Sequence, residues 1–172
     1  RGFHHRPDHL GLGRDEHDLT QMRDEPHAAD DREADNPPPG FVPLDPCSEA
    51  ELLSGPYYVR LDKDAPAIGF RVQRRHLNRG GMCHGGILAT LADMNITPIS
   101  RRENLGEVNP TISMTLDYFA PVVLGQWVEA QPHILRRTRN ILFSRCVLTA
   151  DGVPSVNASV VYKIGRKRDG DT

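Results

Sequence analysis

Asp93 is the lone carboxylate in a run of apolar residues, Ile87, Leu88, Ala89, Leu91, Ala92, Met94, Ile96 and Ile99, whose bearings on a helical wheel cover almost the whole circumference. With Thr90 and Thr97 it forms one polar stripe at i, i+3 and i+7. An ionised carboxylate there needs hydrogen bonds or a partner, or its pKa rises. Two readings of Asp93 stand side by side: a general base, or a core carboxylate bonded to loop amides. Upstream, Gly85 and Gly86 open the same helix. Their N–H groups are bare of side chains and backed by the positive end of the helix dipole, so they can hold an anion or a developing oxyanion. A plain glycine-rich helix entry would use the same letters. Cys83 beside His84 suggests a Cys/His nucleophile pair. Sequence neighbours seldom present side chains to each other, however, and no third orienting group follows, which favours an ordinary buried thiol. His76 and His133 are isolated and read as structural or surface groups.

The elements that must position these residues can be read in order. Ser48 with Glu51 three residues on, then Gly55-Pro56, describes a short capped helix and its stop. Strand-like runs follow at Tyr57–Leu61 and Ala67–Val72, then a Gly-rich loop from Asn78 to Gly86, then a long helix from Gly85 to about Ile99. Pro98 is expected to end or bend that helix early. Four more strand runs lie near Thr111–Phe119, Gln126–Arg136, Ile141–Thr149 and Ser155–Ile164, joined by connections short enough for hairpins. Two strands, one helix and four strands exclude a doubly wound parallel sheet, because one helix cannot cover both faces. The predicted fold class is α+β, an antiparallel sheet wrapped around one long central helix. Its open edge calls for pairing with a second copy or covering by other elements.

Of the 172 residues, positions 1–40 hold 10 of the 23 acids but 5 of the 21 Lys and Arg, so they carry net −5 while residues 41–172 carry +3. The first stretch, ending in Pro37-Pro38-Pro39-Gly40, has too few apolar side chains to repay ordering and is expected to be a disordered polar tail. Its histidines, His4, His5, His9, His17 and His27, are spaced too irregularly to read as a metal tract. Residues 41–172 form the domain. Cys47, Cys83 and Cys146 are odd in number at unrelated spacings, which argues against a disulfide framework and a CxxC zinc site, so no metal is expected. Without an apolar spanning run, a signal-peptide core or a global basic excess, the expectation is a soluble cytoplasmic protein with neither membrane nor nucleic acid as partner.

Residues 78–93, from Asn78 through His84-Gly85-Gly86 to Asp93, resemble the N-x-x-G-x-x-H-G-G-x-x-x-x-L-x-D signature of the hotdog-fold acyl-CoA thioesterases of the phenylacetyl-CoA thioesterase (PaaI-like) type. The resemblance continues through Leu116-Asp117-Tyr118-Phe119-Ala120-Pro121 and covers about 110 residues, leaving the tail outside. It implies the hotdog fold, the architecture reached above from strand order, in homodimers that commonly pair into tetramers. It makes Asp93 the base or nucleophile that delivers water to a thioester carbonyl and the Gly85 amide the oxyanion donor. Asn78 and His84 would orient thioester or water, and Thr111 falls where the family often keeps a hydroxyl, with Ser113 expected on the same strand face.

The chemistry asks for these types independently: one aimed oxyanion donor is worth roughly 3–4 kcal/mol of barrier, and a positioned base about 10²–10⁴-fold. Gly85 and Asp93 are about 12 Å apart along one helix, so one carbonyl carbon cannot touch both. A site using both must be shared between two subunits. Coenzyme A would enter as part of the substrate, with no separate cofactor. Its phosphates could meet Arg137 and Arg139 in the basic hairpin Arg136-Arg137-Thr138-Arg139, or the closing Arg166-Lys167-Arg168. The expected function is hydrolysis of an aryl- or medium-chain acyl-CoA. The competing readings are a non-catalytic acyl-CoA-binding protein and a hotdog hydratase or dehydratase, and keeping Asn78, His84, Gly85 and Asp93 together favours hydrolysis.

Overall fold

Local chemistry sets the first element. In a computed structural model, which describes residues 35–105 and 109–165, Ser48 caps helix α1 (Glu49–Ser54). The Ser48 side chain accepts from the Glu51 amide while the Glu51 carboxylate accepts from the Ser48 amide. The tail through residue 34 and Arg166-Lys167-Arg168 lie outside the described residues.

Seven strands make one antiparallel sheet: β1 (Val42–Pro43), β2 (Tyr58–Arg60), β3 (Ala67–Arg71), β4 (Thr111–Tyr118), β5 (Trp127–Arg137), β6 (Ile141–Ala150) and β7 (Val153–Lys163). Their order across the sheet is β1-β2-β3-β5-β6-β7-β4, which leaves β1 and β4 as edges. Only the two-residue β1 was not expected from the sequence.

Strict alternation along β6 and β7 sends Leu142, Ser144, Cys146 and Leu148, and Val156, Ala158, Val160 and Tyr162, into the core. That face wraps the central helix, whose Leu88, Leu91, Ala92, Met94, Ile96 and Ile99 are buried. Opposite it, on the outer face of β2 and β3, Trp127 lies across Gly69, where a Cβ would come within 2.5 Å of the Val128 carbonyl oxygen. Phe41 meets the same indole edge-on at 4.9 Å. Asp35 and Asn36, inside the segment read as tail, accept hydrogen bonds from Arg71, so the approach to β1 is tied across this outer face.

The central helix differs from expectation in a way that matters. It runs as α2 (Gly85–Asp93), a 3-10 turn (Met94–Ile96) and α3 (Thr97–Glu103). Pro98 neither ends it nor stands mid-ladder, because it occupies the first turn of α3, where its missing N–H costs nothing. The 3-10 turn absorbs the break: Thr97 donates its amide to Met94. The path closes at Asn104, left-handed at φ 50°. No described helix is long and apolar enough to cross a membrane.

His76 is buried beneath this framework. Its Nδ1 accepts from the Gln73 amide, so its Nε2–H donates to the Gly55 carbonyl at 3.1 Å. Burial pushes the imidazole below its ordinary value. The unfolded chain therefore takes up a proton below about pH 6.5 that the folded chain refuses. Stability present above that pH falls as the solution is acidified. Urea unfolding followed by the fluorescence of Trp127 is expected to show a midpoint dropping from pH 7 to pH 5.5. In His76→Gln the drop should be shallower, and an equal slope in both proteins would remove His76 as its source.

Candidate active site

Asp93 closes α2 half-buried, and what holds it comes from two neighbouring strands. Thr111 at the start of β4 donates its hydroxyl to Asp93 Oδ1 at 2.5 Å. Tyr162 of β7 donates its hydroxyl to the Asp93 main-chain oxygen at 2.7 Å. Thr111 and Tyr162 are cross-strand partners, so one rung of the sheet grips the residue by both side chain and main chain. Burial pushes the Tyr162 phenol far above its ordinary value, which keeps it a donor.

The register explains why Thr111 reaches Asp93 and Ser113 does not. Thr111 pairs with Tyr162 and Ser113 with Val161, so two residues of β4 oppose one of β7 and Ile112 is the extra member of a bulge. Ser113 pairs with outward Val161 and so lies on the outer face, a correction to the expectation that both hydroxyls share one face.

Beside Asp93 lies a cleft of about 800 Å³. The helix supplies its floor with Asp93, Thr97, Ser100 and Arg101, while Leu44 and Tyr162 stand on the walls. Arg101 ties the segment before α1 to the helix through the carbonyls of Asp45 and Pro46.

The other end of α2 is built from the loop. Asn78 Oδ1 accepts from the amides of Gly80 (2.8 Å) and Met82 (3.3 Å), so this oxygen shapes the loop. His84 is the N-cap: Nδ1 accepts from the Gly86 amide at 2.9 Å, leaving an Nε2–H directed outward in the neutral ring. The amides of Ile87 and Leu88 go to the His84 carbonyl. Among the described residues the Gly85 amide has no acceptor. Tyr118, at the far end of β4, packs its ring 3.5 Å from the Cβ position of Gly85 and donates to the Gly85 carbonyl at 2.8 Å.

The structure thus brings Thr111 to Asp93 and sets His84 beside Gly85, while Asn78 bonds the loop at Gly80 and Met82, but it does not bring the Asp93 and Gly85 ends together within one chain. Arg137 and Arg139 sit in the exposed β5–β6 hairpin, where Arg137 pairs with Glu103 at 3.0 Å, at the α3 end of the helix. Tyr162 and Asn95 carried no functional signal in the sequence beyond Asn95 being a further polar residue in the apolar run, and Tyr118 carried none beyond its place in the segment Leu116 to Pro121.

Comparison with known proteins gives a concordant result. The thioesterase superfamily matches residues 80–156. A Pseudomonas aeruginosa protein provisionally named an esterase is 31% identical over 130 residues, 69% of this chain and 96% of that protein. Mouse acyl-coenzyme A thioesterase 13 is 29% identical over 79 residues, 46% of this chain and 56% of the relative. The phenylacetic acid degradation protein PaaI of Thermus thermophilus, solved as a mutant, shares the fold at a TM-score of 0.57 and 23% identity, over 67% of this chain and 98% of that one.

The Cys83–His84 pair does not form a nucleophile. Burial pushes the Cys83 thiol up to about 12, and Cys146 likewise. A thiol so far from ionising is inert. Ellman's reagent at pH 8 is expected to leave Cys83 and Cys146 unmodified in the folded protein and to titrate all three cysteines after denaturation. Rapid labelling of native Cys83 would reopen the thiol reading.

Proposed function

The chain belongs to the thioesterase superfamily and is a thioester hydrolase, and on that premise we propose that it cleaves acyl-CoA thioesters with water activated by Asp93 while the Gly85 amide receives the oxyanion. The acyl-CoA class follows the mouse relative's name and the motif from Asn78 to Asp93. The observation that carries the reading is the setting of Asp93, whose Oδ1 is held by Thr111 beside a cleft of about 800 Å³. Such a volume accommodates an aryl or medium-chain acyl group.

Two copies make the site. Gly85 and Asp93 are about 12 Å apart along α2. The edge strand β4 carries Thr111, against Asp93, at one end and Tyr118, against Gly85, at the other. Antiparallel pairing of β4 with a second β4 about their centres sets Thr111 of one copy beside Tyr118 of the other. Asp93 of the first then faces His84 and Gly85 of the second. Such pairing also satisfies the open edge and covers the exposed Ile112 and Tyr118. A dimer of such dimers leaves these sites intact.

In this site Oδ2 of Asp93 takes a proton from water as the water oxygen bonds to the thioester carbon. The carbonyl electron pair moves onto oxygen, which meets the Gly85 N–H and the outward Nε2–H of His84 from the second copy. Asn78 holds their loop. Collapse re-forms the carbonyl and breaks the C–S bond, and the departing thiolate takes the proton back from Asp93. The carboxylic acid and the coenzyme A thiol leave. Arg139, with Arg137 shared between Glu103 and the ligand, offers cations to the coenzyme A phosphates, and no separate cofactor is required.

Asp93→Asn keeps the volume and removes the base, so thiol release from an acyl-CoA panel is expected to fall at least about 100-fold in a folded protein. Near-native turnover would sink the assignment. Inactive Gly85→Pro chains mixed with inactive Asp93→Asn chains under subunit exchange should regain activity, since half the sites of each heterodimer then receive an intact loop and an intact Asp93. Exchange confirmed by mass without returning activity would reject the shared site.

A further inference from the structure

We infer that Tyr162 is a positioning residue for Asp93, acting through the main-chain carbonyl rather than the carboxylate, an inference that rests on Asp93 being the base. In an unbroken α-helix the Asp93 carbonyl would accept from the Thr97 amide. That amide goes to Met94, which leaves the Asp93 oxygen to the Tyr162 hydroxyl at 2.7 Å. The phenol is fixed in turn: Asn95 Nδ2 donates to it at 2.7 Å and to the Ala92 carbonyl at 2.6 Å. Ser144 donates to Asn95 Oδ1 at 2.7 Å. Asn95, Ser144 and Tyr162 are each at most 1% exposed, so no water substitutes for a missing member without reorganising the core.

A carboxylate restrained by Thr111 alone keeps the freedom of its own peptide to tilt where the ladder is interrupted. Pinning the carbonyl as well fixes Cα, and with it the direction from which Oδ2 meets water. Misplacement of a base by a fraction of an ångström is felt in turnover rather than in substrate binding.

The test compares two conservative truncations in the full chain. Tyr162→Phe removes the hydroxyl and keeps the ring. Tyr57→Phe does the same to a buried tyrosine whose hydroxyl bonds Ser54 and does not touch Asp93. Tyr162→Phe is expected to lower kcat about 10-fold at unchanged KM, while Tyr57→Phe stays within about twofold of the parent. Combined with Thr111→Val, Tyr162→Phe should cost less than the product of the two single losses, because both hold one residue. Normal kcat in Tyr162→Phe, a loss that appears in KM, or an equal loss in Tyr57→Phe overturns the inference. Should Tyr162→Phe not fold, Asn95→Ser, which shortens the arm that fixes the phenol, carries the same expectation, and normal kcat in that folded variant also overturns it. Asp93→Asn is assayed alongside: if it stays active the base assignment fails, whereas an inactive Asp93→Asn beside a normal Tyr162→Phe removes only the role of Tyr162.

Discussion

A proline cannot donate to a helical ladder, and the placement of Pro98 organises much of what surrounds Asp93. The chain meets the constraint by tightening to a 3-10 turn before the proline, so that Thr97 bonds Met94. At the end of α2 the Ala92 carbonyl takes Asn95 Nδ2 beside the Met94 amide, and the Asp93 carbonyl takes the Tyr162 hydroxyl from the sheet. Removing the phenol donor and leaving its buried partners unsatisfied would cost about 1–3 kcal/mol. The broken ladder and the buried polar group are therefore one feature: the break opens the Asp93 oxygen to Tyr162, and Asn95, held by Ser144, fixes the phenol.

The same economy holds at the helix start. Four amides of a helix begin without intrahelical acceptors. Here the His84 amide goes to the His76 carbonyl, His84 takes the Gly86 amide on its ring and the Ile87 amide on its carbonyl, and among the described residues the Gly85 amide alone is left over. A Cβ at position 85 would already be in contact with the Tyr118 ring at 3.5 Å, so a side chain longer than that of alanine would press on it. The glycine thus serves both the approach of β4 and the openness of the amide.

Much of this was legible in the sequence because it is written locally. The Ser48 capping box, the hairpin connections and the alternation along β6 and β7 are short-range patterns, and each stands within a few residues of its expected bounds. The cluster from Asn78 to Asp93 is contiguous, so its members could be found without knowing the fold. What escaped is nonlocal or is a matter of counting. Tyr162 is one aromatic in an alternating strand, and nothing near it says that it faces Asp93, 69 residues away. The partition of Thr111 from Ser113 turns on one unpaired residue, which alternation of polar and apolar letters does not reveal. Pro98 is plain in the sequence, but whether it ends the helix, bends it or is absorbed depends on Tyr162, fixed by Asn95, being able to satisfy the carbonyl it frees.

The bulge at Ile112 makes β4 sensitive to parity. From Ser113 to Tyr118 the inward residues are Met114, Leu116 and Tyr118, while Thr111 belongs to the opposite phase and faces inward only because one residue between it and Met114 is uncounted by the partner strand. Deleting any single residue between Thr111 and Met114 would present the hydroxyl to solvent unless the bulge were lost with it, in which case Thr111 regains the inner face in a regular ladder. Inserting one residue between Met114 and Tyr118 would instead turn either the Thr111 end or the Tyr118 end outward. Along this strand, then, drift in letters is tolerated more readily than drift in length: the spacing of its two ends is what keeps Asp93 and Gly85 on a common surface.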